Sequence, residues 1–138
     1  KEGCYRILLV DDDESTQEHI KSLLHKLGHT VHVACHGEQV LAELHDAGKG
    51  AYDCVLMDIQ MPFLDGLETT KRIRNSHSGI KDLPIIAFTA YAMFGDREKF
   101  LQAGMDDYIA KPVNIRLLKA KIHQLIVAGK PLASPVGK

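Results

Sequence analysis

Five short apolar runs recur along this chain, and each is followed by a segment whose apolar residues fall three or four apart. No other feature constrains the fold as much. Short apolar runs closed by turn residues read as strands, and three-to-four spacing reads as amphipathic helix. Strand one is Tyr5-Arg6-Ile7-Leu8-Leu9-Val10, followed by Ile20, Leu23, Leu24 and Leu27 on a helix that Gly28 stops. Ser15 and Glu18 have capping-box spacing and are expected to start that helix. Thr30 to Cys35 alternates as an outer strand, and Val40, Leu41 and Leu44 mark a helix ending near Gly48.

The third run, Val55-Leu56-Met57-Asp58-Ile59-Gln60-Met61-Pro62, delivers one carboxylate and then breaks at a proline. Leu67, Thr70 and Ile73 follow on a helix; Ile85-Ile86-Ala87-Phe88 stops at Thr89; Arg97 to Gly104 is a fourth helix; Tyr108-Ile109-Ala110 is a brief strand ended by Lys111-Pro112. Asn114 caps a last helix with Ile115, Leu118, Ile122 and Leu125 on one face.

Strands alternating with helices imply a parallel sheet covered on both faces, with right-handed crossovers. The expected fold is a doubly wound α/β sandwich, flavodoxin-like, with strand order 2-1-3-4-5. At 138 residues the chain has the size of one domain, placed at 5-128, with 129-138 as a flexible C-terminal linker or tail.

The charge balance, 17 basic against 18 acidic residues, gives no reason to expect nucleic acid or a membrane surface as partner. No apolar stretch approaches the roughly 20 residues needed to cross a bilayer. Cys4, Cys35 and Cys54 are odd in number, form no CxxC and fit reduced core thiols of a cytoplasmic protein. His25 with His29 and His32 with His36 have i,i+4 spacing, but Gly28 interrupts the first pair and a strand end the second, so zinc is not expected. Gly48-Lys49-Gly50 follows a helix and lacks a third glycine, which excludes a dinucleotide fingerprint.

The polar residues at the strand ends carry the chemistry. In strand order 2-1-3-4-5, Asp11, Asp12 and Asp58 meet at the topological switch point, with Thr89 and Lys111 on adjoining strand ends. Crowded carboxylates repel unless a cation neutralises them, and an all-oxygen, solvent-open cluster suits Mg²⁺. One carboxylate can then act as nucleophile toward a phosphoryl group, with Lys111 balancing charge and the Thr89 hydroxyl donating a hydrogen bond. Taken singly, Thr89 is a strand-end residue and Lys111 a surface lysine; only the constellation makes them functional.

These residues, in this order, resemble the receiver domains of two-component response regulators over about residues 5 to 128. Val10-Asp11-Asp12 looks like the acidic pair after strand one, Asp58 like the phosphoacceptor, and Thr89-Ala90 like the switch hydroxyl and its small neighbour. Tyr108 looks like the switch aromatic, and Lys111-Pro112 like the lysine before a cis-proline. The wording Asp58-Ile59-Gln60-Met61-Pro62 and Gly104-Met105-Asp106-Asp107-Tyr108 is most similar to receivers attached to hybrid sensor histidine kinases. Asp13 departs from the asparagine often seen there.

The resemblance implies that a phosphohistidine on a histidine kinase core or histidine phosphotransfer domain donates to Asp58, and that the domain catalyses only its own phosphorylation and dephosphorylation. It implies that Asp12 and Asp58 bind Mg²⁺ directly, Asp11 through water, and the Gln60 backbone carbonyl as a further ligand. Gln60 and Tyr91 would tune the lifetime of the phosphoryl group. The parent protein is expected to be cytoplasmic or anchored elsewhere in its chain, and a phosphorylation-dependent dimer is compatible with this reading.

Two rivals come from other classes. Asp11-Asp12-Asp13 also fits the opening motif of haloacid-dehalogenase-like phosphohydrolases, with Thr89 and Asp106-Asp107 as later motifs. Against this, Lys111 follows the Asp106-Asp107 pair, no residues remain for a cap, and Asp58 is left without a role. A degenerate receiver serving only as a binding module is opposed by the intact acceptor, acidic pair, hydroxyl and lysine.

Overall fold

A computed structural model describes residues 4–47, 51–59, 65–76, 82–89 and 96–128. Its elements run β1 (Arg6–Val10), α1 (Glu14–Lys26), β2 (Thr30–Ala34), α2 (Gly37–Ala47), β3 (Cys54–Asp58), α3 (Gly66–Arg74), β4 (Ile85–Thr89), α4 (Asp96–Ala103), β5 (Asp107–Ala110) and α5 (Ile115–His123). A π-helical turn, Gln124–Ala128, continues α5. All pairings are parallel and the strand order is β2-β1-β3-β4-β5, the doubly wound arrangement expected from the alternation.

Central strands β3 and β4 are buried along their whole length, which explains why they read as continuous apolar runs rather than alternating ones. Alternation still sorts their side chains between two cores. Ile7, Leu9, Leu56, Ile86, Phe88 and Ile109 pack against Ile20 and Leu24 of α1 and Leu118 and Ile122 of α5. Leu8, Val10, Val55, Met57, Ile85 and Ala87 face the other way, onto Val40 and Leu44 of α2, Ile73 of α3 and Phe100 of α4. Because the side-chain period is two, this split also fixes which way each strand-end residue points.

Two helices end in the same manner. Gly28, at φ +92°, and Gly104, at φ +108°, take the left-handed conformation that closes a helix. His29 N–H then donates to Leu24 O at 3.1 Å and Met105 N–H to Phe100 O at 3.1 Å, the long hydrogen bond of a Schellman turn.

Several sequence expectations are corrected. Helix α1 is capped by Asp13, not by a Ser15–Glu18 box: the Asp13 carboxylate accepts from Thr16 N–H at 2.8 Å and from the Thr16 hydroxyl at 2.7 Å. Glu14 is already helical, so Ser15 lies too far inside to cap. The cysteines are free but only Cys54 is a core thiol; Cys4 and Cys35 are exposed. Strand β2 stops at Ala34, whose carbonyl accepts from Asp11 N–H, and Cys35 falls in the following turn. Helix α4 begins at Asp96 and β5 at Asp107, each one residue earlier than the pattern suggested. Gly48-Lys49-Gly50, Gln60, Pro62, Ala90, Tyr91 and the tail 129-138 lie outside the described residues.

Candidate functional site

The carboxyl ends of the strands collect the polar residues. Asp11 and Asp12 follow β1, Asp58 and Thr89 are the last residues of β3 and β4, and Lys111 follows β5. In the register Asp58 pairs with Phe88 and Thr89 with Ala110, so β4 and β5 end level with each other and one residue beyond β3. Asp11, Asp58 and Lys111 fall on the face that Leu9, Leu56 and Ile109 share, and they converge. Lys111 Nζ stands 3.6 Å from Asp11 Oδ2 and 3.6 Å from Asp58 Oδ1.

The lysine is held from three sides. Its backbone N–H donates to Thr89 O at 2.8 Å, the Lys111–Pro112 peptide is cis, and its ammonium lies 4.8 Å from the centre of the Phe88 ring. Asp11, Asp58 and Thr89 are buried, while Asp12 opens to solvent.

One oxygen from each of Asp11, Asp12 and Asp58 lies within 4.8 Å of the others. Burial pushes the Asp11 carboxyl up, against the lowering effect of the Asp13 backbone N–H and the Lys111 ammonium, and the neighbouring Asp12 charge adds to the rise. Asp11 Oδ1 accepts from Asp13 N–H at 2.8 Å, whereas Oδ2 is buried with no hydrogen-bond partner. A buried carboxylate oxygen without a donor is costly unless a cation approaches it, and the Lys111 ammonium 3.6 Å away is a single charge set against three carboxylates. The donor set is all oxygen and partly open to water, so these residues fit a hard divalent ion of the Mg²⁺ type. Among the described residues no histidine or cysteine joins the cluster. His29 instead turns its Nδ1 to accept from Tyr5 N–H at 3.1 Å and stacks on the Tyr5 ring.

Asp106 and Asp107 lie at the opposite end of the sheet and are engaged in ion pairs. Asp106 meets Arg74 at 2.8 Å and Asp107 meets Lys121 at 2.9 Å. They are too remote along β5 to complete a phosphohydrolase site with Asp11. Tyr108 is half-buried, with its ring 5.6 Å from Phe100, and pairs with Ala87, two residues before Thr89. Tyr108 and Thr89 therefore share a face of the sheet.

The family profile of the response regulator receiver domain matches residues 7–123. The chain is a receiver domain. It is 45% identical over 124 residues to hybrid signal transduction histidine kinase I of Dictyostelium discoideum, covering 88% of this chain and 7% of that protein. It is 40% identical to sensor protein GacS of Pseudomonas syringae over 82% of this chain and 12% of that one. The receiver thus spans a small part of the length of these curated relatives. Among solved structures, the receiver domain of sensor histidine kinase PA1611 from Pseudomonas aeruginosa superposes with a TM-score of 0.75 at 41% identity, covering 90% of this chain and 98% of that one. That structure carries a magnesium ion in its active-site cleft.

Two residues beside the site, Gln17 and Gly66, and one at the far end of the sheet, Arg74, were given no functional role by sequence, Gly66 being read only as part of the turn after the Asp58 run. Gln17 donates from Nε2 to Asp11 O at 2.6 Å. Gly66 packs against the Asp58 backbone, where a Cβ would overlap the carbonyl oxygen. Arg74 ties the base of the sheet together, donating to Gly104 O at 2.7 Å, Leu83 O at 2.6 Å and Asp106 Oδ2 at 2.8 Å. Only Gly66 left a signal, as the glycine directly after a helix-capping aspartate.

Proposed function

We propose that this receiver accepts a phosphoryl group from a phosphohistidine onto Asp58, with Asp11, Asp12 and Asp58 holding Mg²⁺, and that its parent is a hybrid sensor histidine kinase. The observation that carries the reading is the Lys111 ammonium set 3.6 Å from both Asp11 and Asp58. One cation between two buried carboxylates leaves the cluster with excess negative charge, which favours a divalent ion. The Gln60 backbone carbonyl, outside the described residues, is the proposed further ligand. Bound Mg²⁺ would supply charge neutralisation at the carboxylates and at the phosphoryl oxygens.

In the transfer an Asp58 carboxylate oxygen attacks phosphorus in line with the phosphohistidine. The new bond is O–P, the P–N bond breaks, and the imidazole departs with its electron pair. Lys111 follows the charge as it moves from Asp58 to the phosphoryl oxygens, and the Thr89 hydroxyl donates to one of them. Water attack at phosphorus later breaks the O–P bond, releases inorganic phosphate and restores Asp58; Gln60 and Tyr91, outside the described residues, are proposed to tune its rate.

The partner is a histidine phosphotransfer domain or a kinase core. An open cleft of about 450 Å³ between Ser15, Thr16 and His19 of α1 and the Lys111–Val113 turn borders the site and offers room for the donor's imidazole. Among the described residues no helix is long and apolar enough to cross a membrane.

The test is labelling with a small phosphodonor followed by peptide mapping. Label should sit on Asp58, vanish in Asp58→Asn and vanish in chelator. Label on Asp11, or full labelling without a divalent ion, would overturn the assignment.

A further inference from the structure

We infer that Gln17 is a positioning residue for the metal site, aiming the exposed Asp12 carboxylate by clamping the peptide bond in front of it. This rests on the proposed Mg²⁺ site and deepens it.

The argument begins with what holds Asp12. Its carboxylate is exposed, and among the described residues no donor grips it. Its direction must therefore come from the backbone, through φ and ψ of Asp12. Those two angles are set by the peptide planes on either side. The plane after Asp12 is fixed where Asp13 N–H donates to Asp11 Oδ1 at 2.8 Å, an Asx turn, and Asp13 is then anchored as the cap of α1. The plane before Asp12 carries the Asp11 carbonyl, and Gln17 Nε2 donates to that oxygen at 2.6 Å. With both planes held, Asp12 loses its backbone freedom and keeps only side-chain rotation. An ordered ligand binds an ion with less entropy to lose than a mobile one.

Gln17 is suited to this by chemistry and place. It lies one turn into α1, with its own N–H donating to Asp13 O at 2.9 Å, so the helix carries its side chain back over the β1 end. A carbonyl oxygen only accepts, so the amide nitrogen must face Asp11 O. The same nitrogen lies 3.7 Å from Cys35 Sγ, and Cys35 N–H donates to Gln39 Oε1 at 2.8 Å. The turns after β1 and β2 are thereby linked through two amide side chains. Sulfur is a weak acceptor, so the Asp11 contact carries the effect.

The experiment measures Mg²⁺ affinity by NMR titration in the parent, Gln17→Met, Gln17→Arg and Cys35→Ala. Methionine keeps length and helix propensity but removes the donor, and its dissociation constant should rise about threefold to tenfold, the range of one net hydrogen bond. Arginine restores a donor and should return the amide exchange of Asp12 and Asp13 in chelator to the parent rate, although its added charge opposes Mg²⁺, while Cys35→Ala should leave the dissociation constant unchanged. In chelator, Gln17→Met should also show faster amide exchange at Asp12 and Asp13 with the helix α1 amides unaltered, a readout that requires no ion. Parent-like affinity in Gln17→Met, or equally fast Asp12 and Asp13 exchange in the methionine and arginine variants, overturns the inference and leaves the metal site standing. A parent that binds no Mg²⁺ overturns both. If Gln17→Met does not fold, Gln17→Ala, the best helix former, takes its place with the same expected weakening.

Discussion

Gly66 sets its Cα against the main chain of Asp58 so closely that a Cβ would overlap the Asp58 carbonyl oxygen and crowd Ile59 Cα. The first turn of α3 is thus packed directly on the end of β3. Gly66 N–H donates to Ile59 O at 3.1 Å, which holds the two segments at that spacing.

Gly66→Ala should therefore destabilise the domain by about 1–3 kcal/mol, the usual cost of forcing a methyl into a filled space. It should also slow phosphorylation, because relief of the clash displaces Asp58 or α3. Urea unfolding checks the first part and a labelling time course the second. A stable, fully active Gly66→Ala protein would show that the backbones can separate without effect.

Arg74 is the hub of the opposite end of the sheet, where one guanidinium serves two carbonyls and the Asp106 carboxylate, which in turn accepts from Ile85 N–H at 2.8 Å. Arg74→Ala leaves these acceptors without their donor and should cost about 2–4 kcal/mol. Arg74→Lys should recover only part of this, since a single ammonium cannot reproduce a planar fork. Because the hub is remote from Asp58, Mg²⁺ affinity in the folded fraction should not change. Denaturant melts of the two variants with a metal titration decide it.

His29 supplies a pH dependence. Burial holds its imidazole below the ordinary 6.5, against the raising effect of the Asp53 carboxylate, and its Nδ1 must stay unprotonated to accept from Tyr5 N–H. The folded state thus binds this proton less readily than the unfolded chain. Stability contributed by the neutral ring is fully present above pH 6.5, declines as pH falls below it, and levels off beneath the folded-state value. His29→Asn, whose Oδ1 can accept in place of Nδ1, should flatten the stability profile between about pH 7 and 5 relative to the parent. An unchanged slope would mean that His29 does not titrate differently in the two states.

The sheet order and the cluster at its carboxyl edge were legible because both follow from local pattern plus one topological rule. Four of the five strand runs, all but β2, end in or lead directly into a polar residue, and the order 2-1-3-4-5 sets those four ends side by side. The start of α1 was misread because Asp13 and Ser15 both satisfy capping preferences, and only the length of the turn after β1 decides between them. Cys35 was misplaced for a similar reason: alternation continues past Ala34, but the ladder stops where Asp11 N–H takes the Ala34 carbonyl. Gln17, Gly66 and Arg74 act through contacts distant in sequence, and a lone glutamine or arginine on a helix gives no sign of such a partner.

The final prediction concerns how the site reaches the surface. Thr89 ends β4 one residue beyond Phe88, the partner of Asp58, and Tyr108 pairs with Ala87 on the face that Thr89 shares, its ring against Phe100 of α4 and 5.8 Å from the Lys121 ammonium of α5. A Thr89 hydroxyl drawn toward a phosphoryl oxygen vacates space on the side of the sheet where that ring lies. A phosphoryl group can bias two conformers only by interacting differently with them, and a charge-assisted hydrogen bond of about 1.5–3 kcal/mol is the source at hand. That shifts the equilibrium by about tenfold to a hundredfold, enough to populate a rare conformer without locking it. Thr89→Ala should still accept phosphate on Asp58 but lose most of the response in α4, β5 and α5, and Tyr108→Ala should uncouple partner binding from phosphorylation. Amide NMR of the Mg²⁺-loaded protein with and without a phosphoryl mimic is the check. Shifts across 96–128 as large in Thr89→Ala as in the parent would exclude this route without touching the proposed acceptor role of Asp58, because Asp58 ends β3 whereas Thr89 ends β4.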